Sequence, residues 1–246
     1  MKKGLVVVGI LSFLLAGCST TGSSAKETDP EVQEISVSLP AELTTLDTTQ
    51  TTDKVTFTVI QHLFEGLYRF DEKSQPVPGL AEEAVISEDG TTYTFKLKEE
   101  AKWSDGQQVQ AADFAYAWKK LVDPKTMGPN AYLLDNVVNS QDIREGKADI
   151  ATIGLETPDE KTFVVHLEQP QPSFLSVVSI GWLAPQRQSY VEEKGTAYGK
   201  TSEDLLYTGP FILKDWQQTG AEWTLAKNPE YYDQAVVKLD KIKGST

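Results

Sequence analysis

Cysteine and histidine are the scarcest reactive residues of this 246-residue chain: one Cys, at position 18, and two His, at 62 and 166. Nucleophilic catalysis couples a Ser, Thr or Cys to a positioned base, so an enzyme would have to work through His62 or His166. His62 falls in a stretch of helical periodicity and His166 in an alternating, strand-like one. In both settings an imidazole is ordinarily a structural or surface group, and no enzymatic activity is expected. A single Cys rules out a disulfide within the chain, and the Cys and His ligands of a zinc site are missing. There is no His-Glu-x-x-His, no glycine-rich phosphate loop and no EF-hand spacing of acids, so no cofactor is expected; composition leaves a carboxylate-only metal site open. With 36 acidic against 23 basic side chains, a net charge of −13 and no cluster of Lys or Arg, nucleic acid is excluded as a partner.

Hydrophobic residues at 39% and charged residues at 24% are those of a globular protein with a real core, in one large domain or two small ones. Ile35 to Leu39 alternates apolar and polar residues and stops at Pro40, a short strand. A polar Thr-rich loop comes next. Val55, Val59, Ile60, Leu63, Phe64 and Leu67 then recur at helical spacing, with Gly66 as the terminator and Tyr68-Arg69-Phe70 extended. Glu88-Asp89-Gly90 is a turn beside a strand showing Tyr93, Phe95 and Leu97 on one face. After the Trp103-Ser104-Asp105-Gly106 turn comes the clearest helix, with Phe114, Trp118, Leu121 and Val122 as its apolar stripe and Pro124 as its stop. Residues 143–153 mix short helical and turn signals. A Pro158-Asp159-Glu160-Lys161 turn precedes a strand over 163–167. Pro185 is expected at the first position of a helix running to Lys194. Residues 211–216 and 223–226 form a hairpin. Strands and helices without a strict βαβ period imply a mixed-sheet α/β fold.

At the amino end, Lys2 and Lys3 precede an apolar run over 5–15 that would span only about 16 Å as a helix, too short for a bilayer but suited to a signal peptide. It ends in Leu15-Ala16-Gly17-Cys18, which resembles the lipobox of bacterial lipoproteins; an ordinary secreted Cys beside a cleavage site is the other reading. The resemblance implies lipidation of Cys18, loss of residues 1–17 and attachment to the outer face of the cell membrane, with the adjoining Ser-, Thr- and Gly-rich residues as a flexible tether.

Four blocks in order resemble the family 5 extracellular solute-binding proteins of peptide ABC transporters. They are Leu63-Phe64-Glu65-Gly66-Leu67 with Pro78-Gly79-Leu80-Ala81-Glu82; Trp103-Ser104-Asp105-Gly106 with 112–118; Thr208-Gly209-Pro210-Phe211; and Asn228-Pro229-Glu230-Tyr231-Tyr232. The resemblance covers roughly 34–243 and implies an oligopeptide-binding lipoprotein of a Gram-positive bacterium. Where the family usually has Ser or Thr, Gln110 stands three residues before Asp113; as a poorer N-cap it should cost that helix about 1 kcal/mol.

The resemblance also implies a two-lobed, periplasmic-binding-protein type II fold, with the second lobe missing from this chain. Residues 1–17 would be the signal peptide and 18–33 the lipidated Cys and tether. Residues 34–62 and 175–246 would make an incomplete first lobe, its Gly209-Pro210 leading into a central strand, and 63–174 a small subdomain packed on it. The ligand-facing positions carried over are Thr52, Asp53 and Lys54, Tyr132, and Thr208 with Gly209. A solvated loop is the other reading of the first three, and a plain surface or core aromatic that of Tyr132. The partners implied are an oligopeptide, a membrane ABC permease and the membrane through the lipid, with the protein a monomer. Other expectations are a surface lipoprotein acting by protein or pheromone contact, or a non-functional gene fragment. If the chain is complete in the cell, half the contact surface is gone and peptide binding is weak or absent.

Overall fold

The computed structural model describes residues 32–246; the expected signal peptide over 1–17, the expected lipidation site Cys18 and the expected tether as far as residue 31 lie outside the described residues. The strands are β1 (Glu34–Ser38), β2 (Tyr68–Phe70), β3 (Pro76–Pro78), β4 (Ala81–Ile86), β5 (Thr92–Leu97), β6 (Leu155–Asp159), β7 (Thr162–His166), β8 (Phe211–Lys214), β9 (Glu222–Lys227) and β10 (Lys241–Ser245). The α-helices are α1 (Lys54–Leu63), α2 (Ala111–Val122), α3 (Ser140–Arg144), α4 (Phe174–Val177) and α5 (Gln188–Lys194).

Two four-stranded sheets organise the chain. One has the order β1-β10-β9-β8, with β1 parallel to β10 and the other pairs antiparallel. The second, β4-β5-β7-β6, is antiparallel throughout, because the β4–β5 and β6–β7 hairpins each lend one strand to the central β5–β7 pair. The mixed-sheet α/β class expected from the sequence is therefore the class observed. Each sheet has its own apolar cluster. Leu67, Phe95, Trp103, Phe114, Trp118 and Phe163 belong to the cluster of the antiparallel sheet. Leu46, Ile60, Leu63, Trp216, Trp223 and Leu225 belong to that of the mixed sheet.

The apolar stripe of α2 explains its seat: Phe114 and Trp118 lie against Phe163 of β7 at ring separations of 5.9 and 5.1 Å. Its amino end is closed in an unexpected way. The Asp113 carboxylate accepts from the Gln110 N–H and from Trp103 Nε1, both at 3.0 Å. The helix terminus is thus satisfied from within and tied to the Trp103 turn.

Four local expectations are corrected. Helix α1 ends at Leu63 rather than near Gly66, because the Thr208 and Gly209 N–H groups donate to the Leu63 carbonyl and Phe64 turns to extended backbone. Pro158 lies inside β6, leaving Glu160 and Lys161 as the turn; β6 is an edge strand, where a missing N–H costs no ladder bond. Pro185 does not open α5, which begins at Gln188. Gln186 is buried and held outside the helix by its N–H bond to the Asp113 carbonyl and by its side-chain amide, and Arg187 next to it is extended. Strand β8, which begins just after Gly209-Pro210, is an edge of its sheet and not a central strand.

Candidate functional site

The Thr-rich segment before α1 is polar in sequence yet mostly buried. Leu43, Leu46, Thr48, Thr49 and Thr51 have almost no exposed surface. Buried polar groups need partners, and Asp47 organises them. Its Oδ1 accepts from the Thr49 N–H (3.0 Å), the Thr49 hydroxyl (2.7 Å) and Gln186 Nε2 (2.9 Å). Its Oδ2 pairs with Lys120 Nζ of α2 at 2.9 Å, and the same ammonium donates to Gln186 Oε1 at 3.0 Å. Asn130 Nδ2 donates to the Thr51 carbonyl at 2.8 Å, and Gln50 Nε2 to the Thr126 carbonyl at 3.1 Å. The loop is thereby clamped to α2, to the 126–130 turn and to the stretch before α5.

The clamp sets the position of the residues that lead into α1. Thr52 and Lys54 are exposed, while Asp53 caps α1, accepting from the Thr56 N–H and the Thr44 hydroxyl at 2.7 Å each. Partial burial pulls the Asp53 carboxyl upward, but the Thr56 and Thr44 hydrogen bonds outweigh it and hold the group below the ordinary carboxylate value. Tyr132, in the short 3₁₀ turn Ala131–Leu134, is 54% exposed, two residues from Asn130 and therefore close to the Thr51 anchor. Exposed Met127 belongs to the same turn region. Thr52–Lys54 and Tyr132 are thus brought to neighbouring loops through two hydrogen bonds, of which Asn130 makes the buried one and Gln50 the exposed one.

Thr208 and Gly209 are elsewhere. They bind the carboxyl end of α1, while Asp53 caps its amino end, so the two groups of positions stand about 15 Å apart along the helix. Thr208 is 1% exposed; its hydroxyl accepts from the Glu65 N–H at 3.0 Å. A Cβ on Gly209 would come within 2.7–2.8 Å of the backbone of His62, Leu63 and Phe64, which only glycine permits. Both residues brace α1.

They do so beside a second polar centre that sequence motifs alone do not reveal. Glu65, 5% exposed, accepts hydrogen bonds from the hydroxyls of Tyr231 and Tyr232 (the latter at 2.8 Å), and Arg69 Nε lies 3.3 Å from its Oε1. Lys98 Nζ donates to the carbonyls of Gly79 and Ala81 and rests 4.9 Å from the Tyr232 ring centre. Asn228 Nδ2 donates to the Gly209 carbonyl at 2.8 Å. Three of the four recognisable blocks therefore converge on one buried residue, the tyrosines at the Glu65 carboxyl group and Thr208 at its backbone. Burial pushes the Glu65 carboxyl above its ordinary value, against the lowering pull of Tyr231, Tyr232, Arg69 and Lys98. The folded chain thus holds this proton more tightly than the unfolded one. The stabilisation from this group is complete below about pH 4.5 and is lost as pH rises through the raised value. Glu65→Gln should therefore gain stability relative to the parent chain between pH 4.5 and neutrality, read by urea denaturation at both pH values. A difference that stays flat would show that Glu65 is ionised at no cost.

The two histidines have structural surroundings. His62 Nδ1 lies 2.8 Å from the Thr58 carbonyl on α1. His166 lies between Thr92 Oγ1 (3.2 Å) and Glu156 Oε1 (3.0 Å), residues of the adjacent strands β5 and β6, as cross-strand partners do. Among the described residues, no group of three or more His, Cys, Asp or Glu could hold a metal ion, and no helix is long and apolar enough to cross a membrane.

Comparison with known proteins places this geometry. The profile of the bacterial extracellular solute-binding proteins, family 5, matches residues 75–245. The dipeptide-binding protein of Lactococcus lactis is 36% identical over 239 residues, which are 96% of this chain and 42% of that protein. The structure of Listeria monocytogenes OppA bound to peptide superposes with a TM-score of 0.86 at 37% identity, covering 88% of this chain and 43% of that one. The substrate-binding domain of an oligopeptide ABC transporter from Bacillus anthracis gives a TM-score of 0.85 at 39% identity, covering 87% and 41%. The chain spans less than half the length of these relatives.

Proposed function

The chain belongs to the family 5 bacterial extracellular solute-binding proteins, and from that premise we propose that it forms one wall of a receptor that captures oligopeptides outside the cell for an ABC importer. Solute binding, not catalysis, is the business of this family. The peptide lies against Thr52–Lys54 and Tyr132, in extended form, with its main chain pairing with loop backbone and hydroxyls and without reading its side chains. In this reading Thr208 and Gly209 act behind the surface by holding α1. Residues 34–62 and 175–246 form the lobe that carries α1, and 63–174 the subdomain that carries Tyr132; the separate apolar clusters of the two sheets support that division. Residues 1–17 direct export, Cys18 takes the lipid, residues 18–33 tether the folded part, and the protein works as a monomer on the outer face of the membrane beside its permease.

The observation that carries the reading is the Asn130–Thr51 hydrogen bond, which joins two exposed loops on a buried, clamped base. Rigid support under exposed loops is how binding residues are positioned. Amide shifts recorded by NMR during titration with an alanine tetrapeptide test it. Binding by one wall alone is weak, with Kd on the order of 1 mM. Shifts centred on 52–54 and 130–132, reduced severalfold in Tyr132→Ala, are the expected result. Peptide shifts confined to other surfaces, or none at millimolar peptide, would overturn it.

A further inference from the structure

A separate hollow opens at the carboxyl end of α1, and nothing in the peptide-wall reading uses it. It measures about 200 Å³, room for roughly six waters, and is lined by Gln61, Phe64, Glu65, Arg69, Phe70 and Tyr231 among others. Three features set its chemistry. Arg69 is held along one edge, its Nε 3.3 Å from Glu65 Oε1, and its side chain is 45% exposed. Among the described residues its terminal guanidinium nitrogens make no hydrogen bond. Glu65 is already occupied by two tyrosine hydroxyls, and it also feels the charge of Lys98, whose ammonium is bound to the Gly79 and Ala81 carbonyls. Asp233 also acts on Arg69, and Glu82 and Glu100 on Lys98, but none of the three forms an ion pair with them. Among the lining residues Arg69 is the one cation, and the one acid, Glu65, is already engaged by the tyrosine hydroxyls. Finally, Phe70 is 42% exposed at its rim, an apolar surface that the fold leaves uncovered.

We propose that this hollow binds a small carboxylate with a short apolar body, the carboxylate on the Arg69 guanidinium and the body against Phe70. A guanidinium oriented by a buried acid is prepared for planar carboxylates, because its remaining N–H groups are already aimed and little rotamer freedom is lost on binding. The volume admits about six or seven heavy atoms, which is the size of a branched five-carbon acid or of the last residue of a peptide. The carboxylate is common to both sources.

Saturation-transfer NMR on this chain with four probes tests the site: isovalerate, isovaleramide, acetyl-alanyl-valine and its carboxyl amide. Both acids should bind in the millimolar range and shift the Arg69 and Phe70 amides, and each amide should bind about tenfold more weakly. Binding by isovalerate alone assigns the site to free small acids, and tighter binding by the dipeptide assigns it to peptide carboxyl ends. Arg69→Gln should remove the preference for acid over amide, and Arg69→Lys should retain part of it. Phe70→Ser leaves the charges in place, does not disturb the Glu65 pair, and should weaken both acids severalfold. Equal binding of acid and amide, a preference that survives Arg69→Gln, or no shift at Arg69 and Phe70 in the parent chain would overturn the site. Because the hollow and Thr52–Lys54 lie at opposite ends of α1, failure here leaves the peptide-wall reading standing, and the reverse also holds.

Discussion

Trp118→Ala lowers the unfolding free energy of the chain by about 4 kcal/mol. Trp118 is fully buried, meets Phe163 edge-on at 5.1 Å and Phe174 at 6.4 Å, and donates from Nε1 to the Leu183 carbonyl at 3.0 Å. Truncation therefore removes a large apolar area, leaves a cavity between α2 and the antiparallel sheet, and strips a buried carbonyl of its donor. In a chain of this size the melting temperature should fall by about 10 °C. Trp118→Phe keeps most of the packing and loses the hydrogen bond, so it separates the two contributions and should cost about 1–2 kcal/mol. Urea denaturation measures both. A loss below about 1 kcal/mol for Trp118→Ala would mean that α2 is not the element that consolidates this sheet.

Lys120→Met is expected to cost about 2–3 kcal/mol, and its effect reaches the candidate binding surface. The Lys120 and Asp47 side chains are only 18% and 12% exposed, so methionine fills the space of the alkyl stem while leaving the Asp47 carboxylate uncompensated in a poorly solvated place. A charge stranded in this way is costlier than the absence of the pair, so Lys120→Met combined with Asp47→Asn should recover part of the loss. Amide hydrogen exchange supplies the local readout. Protection at Thr49, Gln50 and Thr51 should drop in the single variant while protection in β5 and β7 is retained. If exchange in the loop were unchanged, the Asp47 cluster would not be what holds Thr52–Lys54 in position.

How far the sequence reveals this fold depends on the range of the interactions involved. Strand alternation at Tyr93, Phe95 and Leu97, the α2 stripe and the stop at Pro124 are local patterns, and they are legible because burial and proline geometry act within a few residues. The mixed-sheet class comes from the order of those elements. The Asp47–Lys120–Gln186 cluster is not legible, since its members are 73 and 139 positions apart from Asp47 and each alone reads as an ordinary polar residue. The same distance hides the reason that a threonine-rich loop is buried. Glu65 does leave a signal, an acid inside an otherwise apolar Leu63-Phe64-Glu65-Gly66-Leu67 run, but its tyrosine partners lie 166 and 167 residues away. Misjudged boundaries have the same origin. Leu67 continues the helical period of α1 but belongs to the cluster of the other sheet, and the amides that end α1 come from residues 208 and 209.

The parallel pairing of β1 with β10 has a consequence for how the molecule is born. The contact between Gln33 and Asp240 closes a loop of 207 residues, whereas β4 to β7 lie within 81–166. At ribosomal speeds of about 5–20 residues per second, β1 waits roughly 10–40 s for its partner to be synthesised. The antiparallel sheet has all its strands well before that. During this interval the emerging chain carries all four strands of the antiparallel sheet and a lone alternating strand, Ile35-Ser36-Val37, whose partner is not yet made. A lone alternating strand in that state is vulnerable to pairing with wrong partners.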